Sequence, residues 1–118
     1  MKKIISVIIV CILLTGCNNE NIVEKISCND MKKILEEDNS ILIDVRTKEE
    51  YEEEHLDNSI NIPLDTLEED ITNYEEINKD TKIIVYCKSG KRSHTATEIL
   101  KEKEYKKIYD LGAMSNCK

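Results

Sequence analysis

The sequence predicts an α/β domain whose sheet is mostly parallel, and three observations predict it. Ile41–Val45 and Lys82–Tyr86 are short, nearly continuous apolar runs of strand length. Strands of that kind are buried on both faces, as parallel strands covered by helices are. Other segments repeat their apolar residues every three or four positions, which is the spacing of one helix face. The two kinds of segment alternate along the chain, the order expected of successive βα units. With 118 residues, 40% of them hydrophobic, the chain has material for one domain and no general disorder. Phe and Trp are absent, so Ile, Leu and Val with a few Tyr must build the core. No internal repeat and no second domain is visible.

The first sixteen residues read as a leader and not as part of the fold. Lys2 and Lys3 precede Ile4–Leu14, an apolar run broken only by Ser6. As a helix that run would reach about 16 Å, short of a bilayer core of roughly 30 Å. It reads as the apolar centre of a secretory signal. Leu14-Thr15-Gly16-Cys17 then resembles the lipobox of bacterial lipoproteins, where the signal is cut before the cysteine and lipid is attached to its sulfur. A short membrane anchor that happens to contain a cysteine is the plainer alternative. The resemblance implies that Cys17 carries a diacylglyceryl group, whose two acyl chains hold a protein stably on a membrane. The domain would then sit at the cell membrane, on its extracytoplasmic face. Cleavage would remove two lysines, leaving 15 basic against 24 acidic residues, a formal charge of −9 where the whole chain has −7. Residues 17–25 are expected to form a polar tether and residues 26–118 the domain. Cys11 would leave with the leader. Cys28, Cys87 and Cys117 remain, an odd number, so at least one is expected to be free or transiently paired.

Within the domain, Ser27 followed three positions later by Asp30 is a capping pattern, and Met31, Ile34 and Leu35 give the first helix its apolar face. Ile41–Val45 is the first buried strand. Thr47 and Glu50 make a second capping pattern that opens a short acidic helix ending near His55, and Glu49–Glu54 reads as a solvated helix face. Ser59–Ile62 is a short strand stopped by Pro63. Leu67, Ile71, Tyr74 and Ile77 line one face of a third helix. Lys82–Tyr86 is the next buried strand, and His94–Glu104 is a helix with Ala96, Ile99 and Leu100 inward. Lys107–Leu111 is the last strand.

This order places Cys87 directly after a buried strand, at its carboxyl end, where parallel α/β sheets bind ligands. The stretch Cys87-Lys88-Ser89-Gly90-Lys91-Arg92-Ser93 sets three cations around one thiol in an acidic chain. A tight strand-to-helix loop can aim several backbone N–H groups at one point beside the positive end of a helix dipole. Gly90 allows the sharp turn, and Ser93 is expected to cap the helix. A thiol at that point is driven towards thiolate, and Lys88, Lys91 and Arg92 would draw anions to it. A strand-end cysteine by itself is often no more than a small buried hydrophobe; the glycine, the cations and the helix behind it set this one apart. A phosphate-binding P-loop does not fit, because the earlier Gly is missing and Arg92 follows Lys91. A structural zinc site lacks a CxxC pair and enough His. The acidic balance offers no basic stripe for a nucleic acid.

At these residues the chain resembles the rhodanese family of sulfurtransferases. Cys87 to Arg92 resembles the six-residue active loop written CRxGxR, with Lys88 where Arg is commoner. Ser93, Ala96 and Leu100 match the helix that follows. Asp44-Val45-Arg46 and Glu50-Tyr51 match the D-V-R and E-[FY] signature, and Leu111-Gly112-Ala113-Met114 resembles the closing L-G-G-[IM]. His55-Leu56 and Ile60-Asn61-Ile62-Pro63 resemble the segment G-H-I-P-G-A-x-N-I-P, although Glu54, Asp57, Asn58 and Ser59 replace its small residues and Pro. The resemblance runs from Ile26 to Cys117 and implies a rhodanese-like three-layer domain, a mostly parallel sheet flanked by helices.

It also implies sulfane-sulfur transfer. Cys87 would attack the outer sulfur of thiosulfate or a similar anion, release sulfite, and pass the persulfide sulfur to a thiol, a protein cysteine or another thiophilic acceptor. Lys88, Ser89, Gly90, Lys91, Arg92 and Ser93 would bind the anion, with Arg46 as a further contact. Asp44 and Arg46 are expected to tie loops together at the sheet edge, His55 to hold a turn, and His94 to be solvated or a cap. No metal and no organic cofactor is required. Two other readings stay open. One is a phosphatase or arsenate reductase of the same fold, whose Cys-x5-Arg loop is one residue longer. The other is a lipid-tethered persulfide carrier or redox relay without turnover. Cys117 could reach Cys87 as a resolving thiol, or Cys28 and Cys117 could be plain free thiols.

Overall fold

The computed structural model describes residues 21–118. The expected leader and the lipid site at Cys17 lie outside the described residues. Five strands form one sheet in the order β1-β5-β4-β2-β3, and every pairing is parallel. They are β1 (Ile22–Lys25), β2 (Ser40–Asp44), β3 (Ser59–Asn61), β4 (Lys82–Cys87) and β5 (Lys107–Ala113). The helices are α1 (Cys28–Leu35), α2 (Lys48–Glu53), α3 (Leu67–Asp70) and α4 (Lys91–Glu102), with 3-10 turns at Leu64–Thr66, Ile71–Asn73 and Met114–Cys117. Among the described residues no helix is long and apolar enough to cross a membrane.

The period-two alternation of β4 builds the three layers. Ile83, Val85 and Cys87 point to one face, where Leu67, Ile71, Ala96 and Leu100 cover them. Ile84 and Tyr86 point to the other, against Met31, Leu111 and Met114. β2 and β4, interior strands of the sheet, are the two apolar runs noted in the sequence.

Both capping patterns are real. Ser27 Oγ accepts the Asp30 N–H at 3.1 Å and Asp30 accepts the Ser27 N–H at 3.2 Å. Thr47 and Glu50 repeat the exchange at 3.2 and 3.0 Å.

Four expectations need correction. The tether was expected to run to residue 25, but Ile22–Lys25 is an edge strand paired with Lys107–Asp110. Its side chains are exposed, so no apolar run marks it; backbone pairing alone makes it a strand. The third helix breaks into one α-turn between two 3-10 turns and ends before Tyr74, although Leu67, Ile71 and Ile77 are buried as expected. Helix α4 begins at Lys91, not near His94, and its N-cap is Gly90, not Ser93. Finally, Cys28 and Cys117 form a disulfide, with Cα atoms 5.3 Å apart.

That bridge spans 89 positions and ties the first helix to the last turn. Cross-linking residues so far apart restricts the unfolded chain and adds about 2–4 kcal/mol of stability. Urea unfolding of the domain should therefore show a lower midpoint in dithiothreitol than without it. The Cys28→Ser/Cys117→Ser variant should have that lower midpoint under both conditions. An unchanged wild-type midpoint would show that the bridge contributes nothing.

Candidate active site

Strand β4 delivers Cys87 to its carboxyl end, and the chain needs only Lys88, Ser89 and Gly90 before α4 starts. So short a link requires a left-handed residue, and Gly90 has φ +99°. Gly112 of β5, at φ +83°, lies against it: a Cβ on Gly90 would stand 3.8 Å from the Gly112 Cα. A register shift between Val85 and Tyr86, where β5 holds one extra residue, comes just before this contact.

The turn folds the backbone round the thiol. The Gly90 N–H donates to Cys87 Sγ at 3.0 Å, and the Ser93 N–H donates to it at 3.3 Å. Ser93 Oγ donates to the Gly90 carbonyl at 3.0 Å and fastens the turn. The sulfur thus lies beside the N-terminus of a twelve-residue helix, where donors and dipole both stabilise negative charge. Cys87 is buried and is the free cysteine of the described residues.

Arg92 reaches across to α2. Its guanidinium grips Glu50 with both oxygens, at 2.8 and 3.1 Å. The Arg92 guanidinium, helped by the Thr47 N–H, holds the Glu50 carboxyl down at about 2 against an ordinary 4.5. The expected solvated acidic face is therefore interrupted at Glu50. Nothing in a run of glutamates marks which one meets a partner 42 positions away.

Arg46 and Asp44 are buried, at 5% and 0% exposure. Arg46 Nε lies 3.0 Å from both Asp44 oxygens, and Nη2 donates to Asp44 at 2.7 Å and to the Glu54 carbonyl at 2.6 Å. Asp44, foremost by hydrogen bonding, raises the Arg46 pKa. These contacts join the end of β2 to the end of α2. His55 holds its turn: Nδ1 is 2.8 Å from the Tyr51 carbonyl, and its ring stacks on Tyr51 at 3.8 Å between centroids. His94 is exposed.

Beside the loop lies an open cavity of about 650 Å³. Arg46, Glu50, Glu53 and Glu54 line one wall, Lys88 enters from the loop, and Met114, Ser115 and Lys118 complete it. Of that last wall only Met114, in the closing motif, had a signal in the sequence; Ser115 and Lys118 had none. Ser89 and Gly90 face a separate groove on the other flank, with Asp110 and Asn116. Lys91 is exposed at the helix start and does not line the cavity. Cys117 does not approach Cys87 as a resolving thiol. It packs among the residues on the opposite face of the sheet. Among the described residues no group of three or more His, Cys, Asp or Glu could hold a metal ion.

The model of the rhodanese-like domain matches residues 27–115. The chain belongs to the rhodanese-like domain family. A rhodanese from E. coli, described with anions, has 36% identity and a TM-score of 0.61, covering 65% of this chain and 89% of that one. A rhodanese-like domain protein from Staphylococcus aureus has 27% identity and a TM-score of 0.68, over 80% and 91% of the two chains. The tRNA uridine(34) hydroxylase of Buchnera aphidicola is 34% identical over 94 residues, 77% of this chain but 30% of that protein. The chain spans less than a third of the curated relatives it matches. Family membership, with a cysteine at the centre of the loop, supports a sulfurtransferase-type enzyme.

The low position of Glu50 makes a prediction about acid. Its carboxyl is depressed in the folded state, to about 2 from 4.5. It therefore contributes stability that is complete above the unfolded value and is lost as pH falls through the folded one. Wild type should lose stability relative to Glu50→Gln between pH 4.5 and 2, measured by urea midpoints. Parallel curves across that window would show that the ion pair with Arg92 does not form in solution.

Proposed function

We propose that the protein moves sulfane sulfur through a persulfide on Cys87, from thiosulfate or a similar donor to a thiol or other thiophilic acceptor. One observation carries this reading: a buried sulfur that accepts two backbone N–H groups beside a helix N-terminus. The Cys87 thiolate attacks the outer sulfur of the donor. A bond forms between the two sulfurs, the donor's S–S bond breaks, and its electron pair leaves on sulfite. The same N–H groups then hold the persulfide. An acceptor thiolate takes the outer sulfur and returns Cys87 to its starting state.

The carrier alternative differs only in turnover, and the two are separated by kinetics. The phosphatase or reductase reading needs a loop one residue longer than Cys87–Arg92, and Arg92 is engaged by Glu50.

We also propose that the domain is tethered by lipid at Cys17 on the extracytoplasmic face of the membrane. The motif Leu14–Cys17 supports this. So does the Cys28–Cys117 bridge, since such bonds persist in oxidising compartments.

Cys87→Ser should abolish release of sulfite from thiosulfate in the presence of cyanide. After thiosulfate alone, mass spectrometry should find one added sulfur on the wild-type peptide that holds Cys87. Wild-type turnover in the Ser variant would remove Cys87 from its role. For the anchor, Cys17→Ala should stop lipidation and leave an unprocessed precursor. A soluble, unmodified mature wild-type protein would exclude it.

A further inference from the structure

The charges of the loop and those of the cavity do not add up to an anion trap. Six charged residues line the cavity, Arg46, Lys88 and Lys118 against Glu50, Glu53 and Glu54. Two of these cations are already engaged, Arg46 by Asp44 at 2.7 Å and Lys118 by Glu54 at 2.9 Å. Arg92, the strongest anion-binding group of the loop by chemistry, is engaged by Glu50 through both of its terminal nitrogens, Nη1 and Nη2. Of the lining groups, Lys88 and Glu53 are left without an ion-pair partner among the described residues, one of each sign.

We propose that Glu50 sets which sulfur donors the site accepts: by holding Arg92 in a two-toothed ion pair it cancels the loop's arginine, and so favours organic persulfides of low net charge over dianionic thiosulfate. The inference rests on the sulfurtransferase reading and names the donor class of that same site. A dianion at the mouth meets Lys88 but also the unpaired Glu53, in a chain of net charge −7. A hydropersulfide R–S–SH brings no dianionic group to the reacting end. If R carries an ammonium and a carboxylate, Glu53 and Lys88 offer each a partner of opposite sign. The step balances: the Cys87 thiolate attacks the terminal sulfur, the donor S–S bond breaks, R–S⁻ leaves with the electron pair, and Cys87 becomes Cys87–S–SH. Glu50 touches no reacting atom in this scheme. It acts on specificity through Arg92, whose charge interacts with Cys87.

The test is single-turnover loading of Cys87, read by mass spectrometry, from thiosulfate and from the hydropersulfide of cysteine. Glu50→Gln keeps the capping geometry, which tolerates Gln at this position. It should load roughly tenfold faster from thiosulfate while its rate with the hydropersulfide changes far less. Glu102→Gln, on the far part of α4, alters net charge equally and should change neither rate. Wild type supplies a second measurement that needs no variant: its rate with thiosulfate should stay flat or rise with added salt, because no net attraction is screened. If both donors load Cys87 and Glu50→Gln leaves their ratio unchanged, or if the thiosulfate rate falls steeply with salt, this inference is overturned and sulfur transfer stands. If neither donor loads Cys87, both fall.

Discussion

The Cys87 sulfur accepts N–H groups from Gly90 at 3.0 Å and Ser93 at 3.3 Å, and much of the domain serves to keep those donors converged. Two N–H groups reach one sulfur only if the chain reverses within three residues. That needs a positive φ at Gly90, which glycine adopts without steric cost. Gly112, also at positive φ, lies beside it, next to the extra residue in β5 opposite Val85 and Tyr86. A side chain at either glycine would oppose a left-handed backbone. The strength of the fold is thus spent, at this one place, on aiming backbone dipoles at a group that would otherwise be a small buried hydrophobe.

Helix α2 is the weak partner in the arrangement. It has six residues and none is buried, so neither propensity nor apolar packing can hold it. Polar ties hold it instead. Its capping box closes at Thr47 and Glu50, the Tyr51 hydroxyl donates to the Ser59 carbonyl at 2.6 Å, and Arg46 reaches the Glu54 carbonyl. The same residues form a wall of the cavity. A wall made of paired charges is rigid without being strongly charged, which is why the site can be rich in ions and still offer little net attraction. The buried Asp44–Arg46 pair anchors this wall to β2. Losing either partner would leave an uncompensated charge in the interior.

The sheet, its two interior apolar strands, both capping boxes and the cysteine loop were all legible in the sequence. Each is written locally, in a run, a spacing or a motif of a few adjacent residues. What was not legible joins residues far apart. Glu50 looks like any of its acidic neighbours until the fold brings Arg92 to it, and β1 has exposed side chains that carry no strand pattern. The N-cap moved from Ser93 to Gly90 because the loop's glycine occupies the turn and the serine is used one step further in, with its N–H on the sulfur and its hydroxyl on the Gly90 carbonyl. The reading of Cys117 failed for a simpler reason: sequence distance from Cys87 says nothing about which face of a sheet a tail will follow.

Strand alternation settles that face. Cys87 shares its side of the sheet with Val85 and Ile83, against α4. Cys28 and Cys117 pack on the other side, with Met31, Tyr86 and Met114. The sheet therefore separates the reactive thiol from the bridge. A thiolate attacks disulfides through their sulfur atoms, so the sheet keeps the free thiol and the bridge from exchanging. The bridge nevertheless serves the site. A four-residue 3-10 turn has little intrinsic stability, yet Met114–Cys117 supplies Met114 and Ser115, and leads to Lys118, on the cavity wall. Tied through Cys117 to α1, that segment stays against the sheet. One pair of sulfurs thus holds a wall of the cavity beside the loop of the third, and the thickness of a single β-sheet keeps the bridge and the free thiol apart in one small domain.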